Sequence, residues 1–196
     1  MGDTEERTAT EADGPRSVAE LLALTARGER AKYVFFWGHR PQKDGSVGPG
    51  CFSQWWPAPF TVDGVTYATA EHWMMAGKAR LFDDPDAERE AIAASHPSEA
   101  KAAGRRVKDF DEDVWSAHRF ELVVEGSTHK FDQHPDLRAY LLGTGTRVLV
   151  EASPRDRIWG IGMGASNEDA EHPDRWRGDN LLGFALMEAR QRLRDR

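Results

Sequence analysis

The chain has 196 residues, enough for a single domain with a sizeable core. Its 26 basic and 33 acidic residues leave a formal net charge of -7, which excludes an overall positive field that would draw in nucleic acid or an anionic membrane. One cysteine, Cys51, excludes an intrachain disulfide. A reducing cytoplasm is the expected location, and no membrane partner is expected: no run approaches the roughly 20 apolar residues of a spanning helix, and the acidic start does not read as a signal peptide.

Residues 2–17 carry no large apolar side chain, so residues 1–17 are read as a disordered acidic tail ahead of one domain over 18–196. Ser17 can cap a short helix from Val18 to about Ala26, ended by Gly28. Residues 32–37 (KYVFFW) are aromatic and β-branched and read as a strand. Residues 38–50 are a loop by Gly and Pro content. The next ten, CFSQWWPAPF, cannot form a regular helix or a central strand, because Pro57 and Pro59 interrupt them. Four aromatics on an irregular segment either plug the core or wall a pocket for a planar ring.

Asp63-Gly64 between two alternating runs predicts a hairpin over 60–67. It leads into a helix over 69–82, with Thr69 as N-cap and Glu71 in the first turn, where the dipole favours a carboxylate. Lys78 follows two turns later on the same face, its Cα about 10 Å from that of Glu71. Gly77 in mid-helix costs roughly 1 kcal/mol against Ala, a cost consistent with close approach of another backbone or a ligand. Helices then open near Asp84 or Asp86, near Pro97 or Ser98, and near Asp111 or Asp113, the last running through Lys130. Another starts at Pro135 and ends near Leu142. A strand over 146–151, a Gly-rich polar loop over 161–173 and an amphipathic helix from Leu181 to Arg194 complete an α+β chain, helix-rich, with one hairpin and a few short strands.

The run Gly160-Ile-Gly-Met-Gly164 lacks the spacing of a dinucleotide fingerprint, although its backbone N–H groups could surround a phosphate. No Walker lysine, H-E-x-x-H, C-x-x-C or G-x-S-x-G is present, so neither metal nor cofactor is expected. Asp156, Trp159 and Gly160 form a second set of interest beside Glu71 and Lys78. Taken singly, each has an ordinary reading: surface turn residue, core aromatic, solvated helix charge. Asn180, just before the last helix, reads most simply as an N-cap.

Together, the segments 52–60 with Asp63-Gly64, 67–72 through Lys78-Ala79, Lys130-Phe131, 142–145, 151–156, 158–162, 176–180, Leu182-Gly183 and Leu186-Met187 resemble, in order, the NADAR (YbiA-like) family. The resemblance covers about Tyr33 to Leu193. It implies a helical α+β fold and N-glycosidase activity. Some relatives cleave the base–ribose bond of early riboflavin-pathway intermediates, and others remove ADP-ribose from the guanine amino group. It implies that Glu71, Lys78, Asp156, Trp159 and Asn180 sit at a pocket for ribose and phosphate. Gln54 is a departure, since many relatives carry Asn there.

Cleaving a ribosyl C–N bond builds positive charge at the anomeric carbon and negative charge on the leaving nitrogen. Glu71 is the candidate acid/base and Asp156 the candidate stabiliser of the cationic sugar or orienter of water. Lys78 is either a cation for phosphate or a neutral amine that attacks ring-opened ribose. Phe52, Ser53, Gln54, Trp56, Trp159, Gly160, Gly162 and Asn180 are the expected substrate-binding residues. The expected partner is a small nucleotide-like molecule, a ribose phosphate or ADP-ribose conjugate, with ADP-ribosylated nucleic acid as a further candidate. The competing function is a module that binds ADP-ribose or a nucleotide without cleaving it.

Overall fold

The computed structural model describes residues 14–196. The 1–13 part of the expected tail lies outside the described residues. Residues 14–17 run straight into the domain: Pro15 is buried, Arg16 pairs with Glu188 at 2.6 Å, and the Ser17 hydroxyl accepts from the Glu20 N–H to cap α1 (Val18–Ala26).

Two short strands form the spine. β1 (Tyr33–Phe36) lies parallel to β4 (Val148–Glu151), in register from Tyr33 opposite Val148 to Phe36 opposite Glu151. Parallel neighbours need a long crossover, and here it holds the hairpin β2 (Phe60–Val62) and β3 (Val65–Tyr67) and five helices. The helices are α2 (Ala70–Leu81), α3 (Pro85–Ala93), α4 (Pro97–Arg105), α5 (Glu112–Gln133) and α6 (Pro135–Gly143). α7 (Leu181–Arg194) then packs on β4 and α5. The architecture is α+β and helix-rich. Among the described residues no helix is long and apolar enough to cross a membrane.

Local chemistry explains most boundaries. Asp63 and Gly64 both take positive φ, 49° and 80°, the two left-handed residues of a type I′ turn. Asp84 caps α3 by accepting from the Ala87 N–H at 3.1 Å, and Asp111 caps α5 through the Val114 N–H at 2.9 Å. α4 begins at Pro97 as its fixed φ favours, with His96 rather than Ser98 in the capping position. α5 runs three residues past the expected Lys130 and ends at Gln133, with His134 as C-cap just before Pro135.

α2 is the central helix. Nine of its 12 residues are buried, because α3, α4 and α5 all pack against it. Thr69 stands at its N-cap but does not cap: the hydroxyl bonds to His72 Nδ1 at 2.8 Å instead. Trp73 crosses to α5, its indole N–H donating to the Leu122 carbonyl at 2.8 Å. The approach that Gly77 permits is that of α5, since a Cβ there would lie 2.6 Å from Leu122 Cδ1.

Lys130, near the end of α5, is fully buried. Its Nζ donates to the Cys51 and Ser53 carbonyls at 2.6 and 2.9 Å. It therefore pins the 3-10 turn Pro49–Phe52 and the residues just after it. Burial pushes its pKa down to about 8. Replacing Lys130 by Met strands two carbonyls, and a stability loss of roughly 2 kcal/mol is expected in urea denaturation. In the native protein the unfolded state binds the extra proton between that pKa and the roughly 10.4 of a free lysine, so stability rises with pH across the window. Lys130→Met lacks that rise.

Candidate active site

A cavity of about 360 Å³ opens where the C-terminal ends of β1 and β4 meet the N-terminal end of α2. That size lies within the usual range for small-molecule sites. Each wall comes from a separate element. Trp37, Gly38 and His39 follow β1, and Ser53, Gln54 and Trp55 follow the 3-10 turn. α2 contributes Glu71 and Met74, one turn apart on one face, and α4 contributes Lys101. The end of β4 supplies Glu151, the segment after it supplies Ser153, Asp156 and Trp159, and α7 adds Leu182.

Among the described residues, five buried side-chain polar atoms have no hydrogen-bond partner: Gln54 Nε2, Glu71 Oε1, Glu151 Oε2, Arg119 Nε and Ser127 Oγ. The first three belong to residues that line this cavity. An unpaired buried polar atom costs about 1–3 kcal/mol, so three around one hollow mark a place made for a polar ligand. Glu71 is only 2 % exposed. Burial is the main reason its pKa rises to about 7, with the Asp156 charge adding to the rise. Lys101, a hydrogen bond from the Trp55 side chain and Arg105 pull the other way. The Glu151 carboxyl is pushed further, to about 8, by burial and then by Asp156 and Glu71, against Lys101. The cavity thus holds carboxyls that keep protons near neutral pH beside a cation.

Asp156 is held by a tight turn. Its Oδ1 accepts from the Ile158 and Trp159 N–H groups at 2.9 and 2.8 Å, and the Gly162 N–H donates to its carbonyl at 3.0 Å. This knot aims the Asp156 and Trp159 side chains at the cavity. Gly160 and Gly162 sit behind it rather than in the lining. A Cβ on Gly160 would lie 2.8 Å from the Glu151 carbonyl, and Gly162 takes φ +69°.

The cavity brings together Glu71, Asp156, Ser53, Gln54 and Trp159 of the residues expected from sequence. It does not bring in Lys78. Same-face spacing holds, but the two turns between them carry Lys78 past the hollow: its Nζ lies 3.9 Å from the Phe110 ring centroid and 5.5 Å from that of Trp115. Lys101 is the lysine in the wall. Phe52 is in the core, its ring edge-on to Phe36 at 5.4 Å. Trp56 packs partly buried against the core, and its neighbour Trp55 turns to the cavity instead. Asn180 is fully buried beneath β4: Oδ1 accepts from the Glu151 N–H and Nδ2 donates to the Leu149 carbonyl, both at 2.9 Å. It makes no side-chain cap to α7.

Sequence reasoning overlooked Lys101, Glu151, Trp55 and Trp37. Glu151 carried a signal, as a carboxylate closing the apolar run Val148-Leu-Val, and Trp55 did as one of the four aromatics read as core plugs or pocket walls; Lys101 and Trp37 carried none.

A larger groove of about 970 Å³ borders α1 and α7, with Arg27, Arg30, Lys32 and Arg190 in its walls. No orphaned buried side-chain atom of a described residue faces it. Arg190, its buried cation, already donates to Thr144 Oγ1 and the Arg147 carbonyl at 2.7 and 2.9 Å. Among the described residues, no group of three or more His, Cys, Asp or Glu side chains is arranged to hold a metal ion.

The NADAR domain profile matches residues 35–194. The chain is 42 % identical over 168 residues to N-glycosidase R617 of Acanthamoeba polyphaga mimivirus, an alignment covering 83 % of this chain and 97 % of that protein. It is 35 % identical over 145 residues to N-glycosidase YbiA of Escherichia coli, covering 74 % and 81 %. The NMR structure of the E. coli protein YbiA superposes with a TM-score of 0.65 at 30 % identity, covering 85 % of this chain and 88 % of that one. By profile, by identity and by fold, this chain belongs to the NADAR domain family.

Proposed function

We propose that the protein is an N-glycosidase, a hydrolase that splits the C–N bond between a ribose phosphate or ADP-ribose and an amino-linked base. The observation that carries the reading is the set of three orphaned atoms, on Gln54, Glu71 and Glu151, residues that line one hollow together with Lys101. The relatives' name, N-glycosidase, supports it. The chemistry needs a proton for the leaving nitrogen and negative charge near the sugar, and this cavity offers both. A module that only binds would have no use for carboxyls held protonated near neutrality.

In the proposed route the substrate is a ribosylamine. The protonated Glu151 carboxyl donates to the ring oxygen as the C1–O bond breaks, leaving an open-chain iminium. Glu71 as carboxylate takes a proton from Lys101, whose amine then adds to C1. The base amine takes up the proton that Glu71 had accepted and departs, Glu71 regains a proton from the adduct nitrogen of Lys101, and water hydrolyses the resulting Schiff base to free sugar and lysine. Lys101 thus takes the role that spacing had suggested for Lys78. Asp156, fixed in its turn, balances the cationic sugar. Gln54 and Ser53 hold ribose hydroxyls, and the Trp159 indole walls the sugar. Early riboflavin-pathway ribosylamines and ADP-ribosylated guanine both carry the required linkage.

Incubation with a ribosylamino-pyrimidine phosphate and with an ADP-ribosylated guanine oligonucleotide, followed by chromatography, should release free base from at least one. Tight ADP-ribose binding in calorimetry with no release from either would refute the enzyme reading. Lys101→Ala and Glu71→Gln should each lower turnover by about 100-fold or more, with folding checked by circular dichroism. Borohydride added during turnover should leave the sugar attached to the wild-type chain by mass spectrometry. Lys78→Ala should still be trapped, and Lys101→Ala should not.

The rate should follow a bell in pH. The limb at lower pH reflects loss of the Glu71 carboxylate near its pKa of about 7. The limb at higher pH reflects loss of the Glu151 proton near about 8. Glu151→Gln should flatten the upper limb, which a pH series of initial rates would reveal.

A further inference from the structure

Trp37 is the first residue beyond β1 and stands at the cavity mouth. It is 67 % exposed, the most exposed large apolar side chain among the described residues. No other ring of the described residues stacks on it, and its indole N–H has no partner there. Its neighbours are arranged otherwise. Phe36 just before it is buried in the core. Trp55, on the inner wall, is flanked by His39 at 5.8 Å and by His96 at 5.6 Å. A lone exposed indole costs hydration free energy in the empty protein, and here it borders the hollow that holds the orphaned carboxyls.

The polarity of the hollow sets the orientation of a bound glycosylamine. The sugar carbon must reach Lys101, Glu71 and Glu151, all inside. The leaving amine therefore points outward, and the ring that bears it comes to the mouth. We propose that Trp37 is the residue that selects the leaving group: its exposed indole stacks on the face of a planar heteroaromatic amino base, held outside the sugar cavity. This rests on the glycosidase reading and deepens it. One face of the base meets Trp37 and its far edge stays in water, so recognition falls on flatness rather than on an enclosing fit. Base–aromatic stacking is worth roughly 1–3 kcal/mol, about 5- to 150-fold in binding.

Two measurements test this. The first compares kcat/KM for a ribosylamine phosphate with a planar aromatic leaving amine against one with a cyclohexyl amine. The wild type should prefer the planar substrate. Trp37→Ala should lower that preference about tenfold or more, mainly through KM, and Trp37→Phe should restore most of it. An unchanged preference in Trp37→Ala would overturn the proposal. The second needs no turnover: titration of the fluorescent planar base 2-aminopurine with protein. Stacking should quench its emission. Trp37→Ala should remove the quenching, and Lys101→Ala should keep it. Quenching that survives in Trp37→Ala would overturn the proposal, whereas quenching with no cleavage of any ribosylamine would overturn only the glycosidase reading.

Discussion

The parallel pairing of β1 with β4 is the constraint on which the candidate site depends. Residues 33–36 and 148–151 are far apart in the chain, and the ladder sets Phe36 opposite Glu151. That one pairing brings the segment beginning at Trp37 and the segment beginning at Ala152 to the same end of the spine. Asn180 fixes it from beneath. Its side-chain amide bonds to both Leu149 and Glu151 of β4, while its own backbone takes the left-handed φ of 53°. Asn adopts that region more readily than most residues, so one residue reverses the chain and clamps the strand. Gly183 completes the contact, because a Cβ there would run into the Leu149 carbonyl.

Around this spine the protein keeps groups that cost stability. Glu71 lies on the most buried helix, one of its oxygens unpartnered, and Glu151 carries another. Their charges oppose each other and Asp156 opposes both. The surrounding core offsets this. Phe52, Phe60, Phe131 and Phe184 are fully buried, and α5 and α7 are joined by a two-pronged Arg192–Glu121 pair at 2.7 and 2.9 Å. The cavity has rigid walls because the elements that carry them are packed for other reasons.

Local signals in the sequence carried the element list well. Ser17, Asp84 and Asp111 announced their helices through short-range capping, and Asp63-Gly64 announced its hairpin through turn geometry. The candidate site was legible where residue type and a local turn coincided, as at Glu71 and at Asp156 with Trp159. It was not legible where tertiary packing decides. Helical phase alone puts Lys78 on the face of Glu71, but the cavity closes within about one turn, and only the docking of α4 against α2 supplies Lys101. The choice between Trp55 and Trp56 is one of direction along an irregular segment, which no periodicity specifies. Phe52 and Asn180 belong to the motif set that carries the family resemblance, yet in this fold they support the walls from behind. Motif membership does not separate the residues that touch a ligand from those that hold others in place.

The turn beneath Gln54 and Trp55 has a built-in reporter. Cys51, the chain's single thiol, is completely shielded, its pKa pushed up to about 12, and its carbonyl is tied to Lys130. A reagent can reach that sulfur only when the segment lifts from α5, and a thiolate forms readily only once it is wet. The alkylation rate of Cys51 is therefore a clock for breathing of this wall. Occupancy of the adjoining hollow should slow that clock without any label being placed on the ligand.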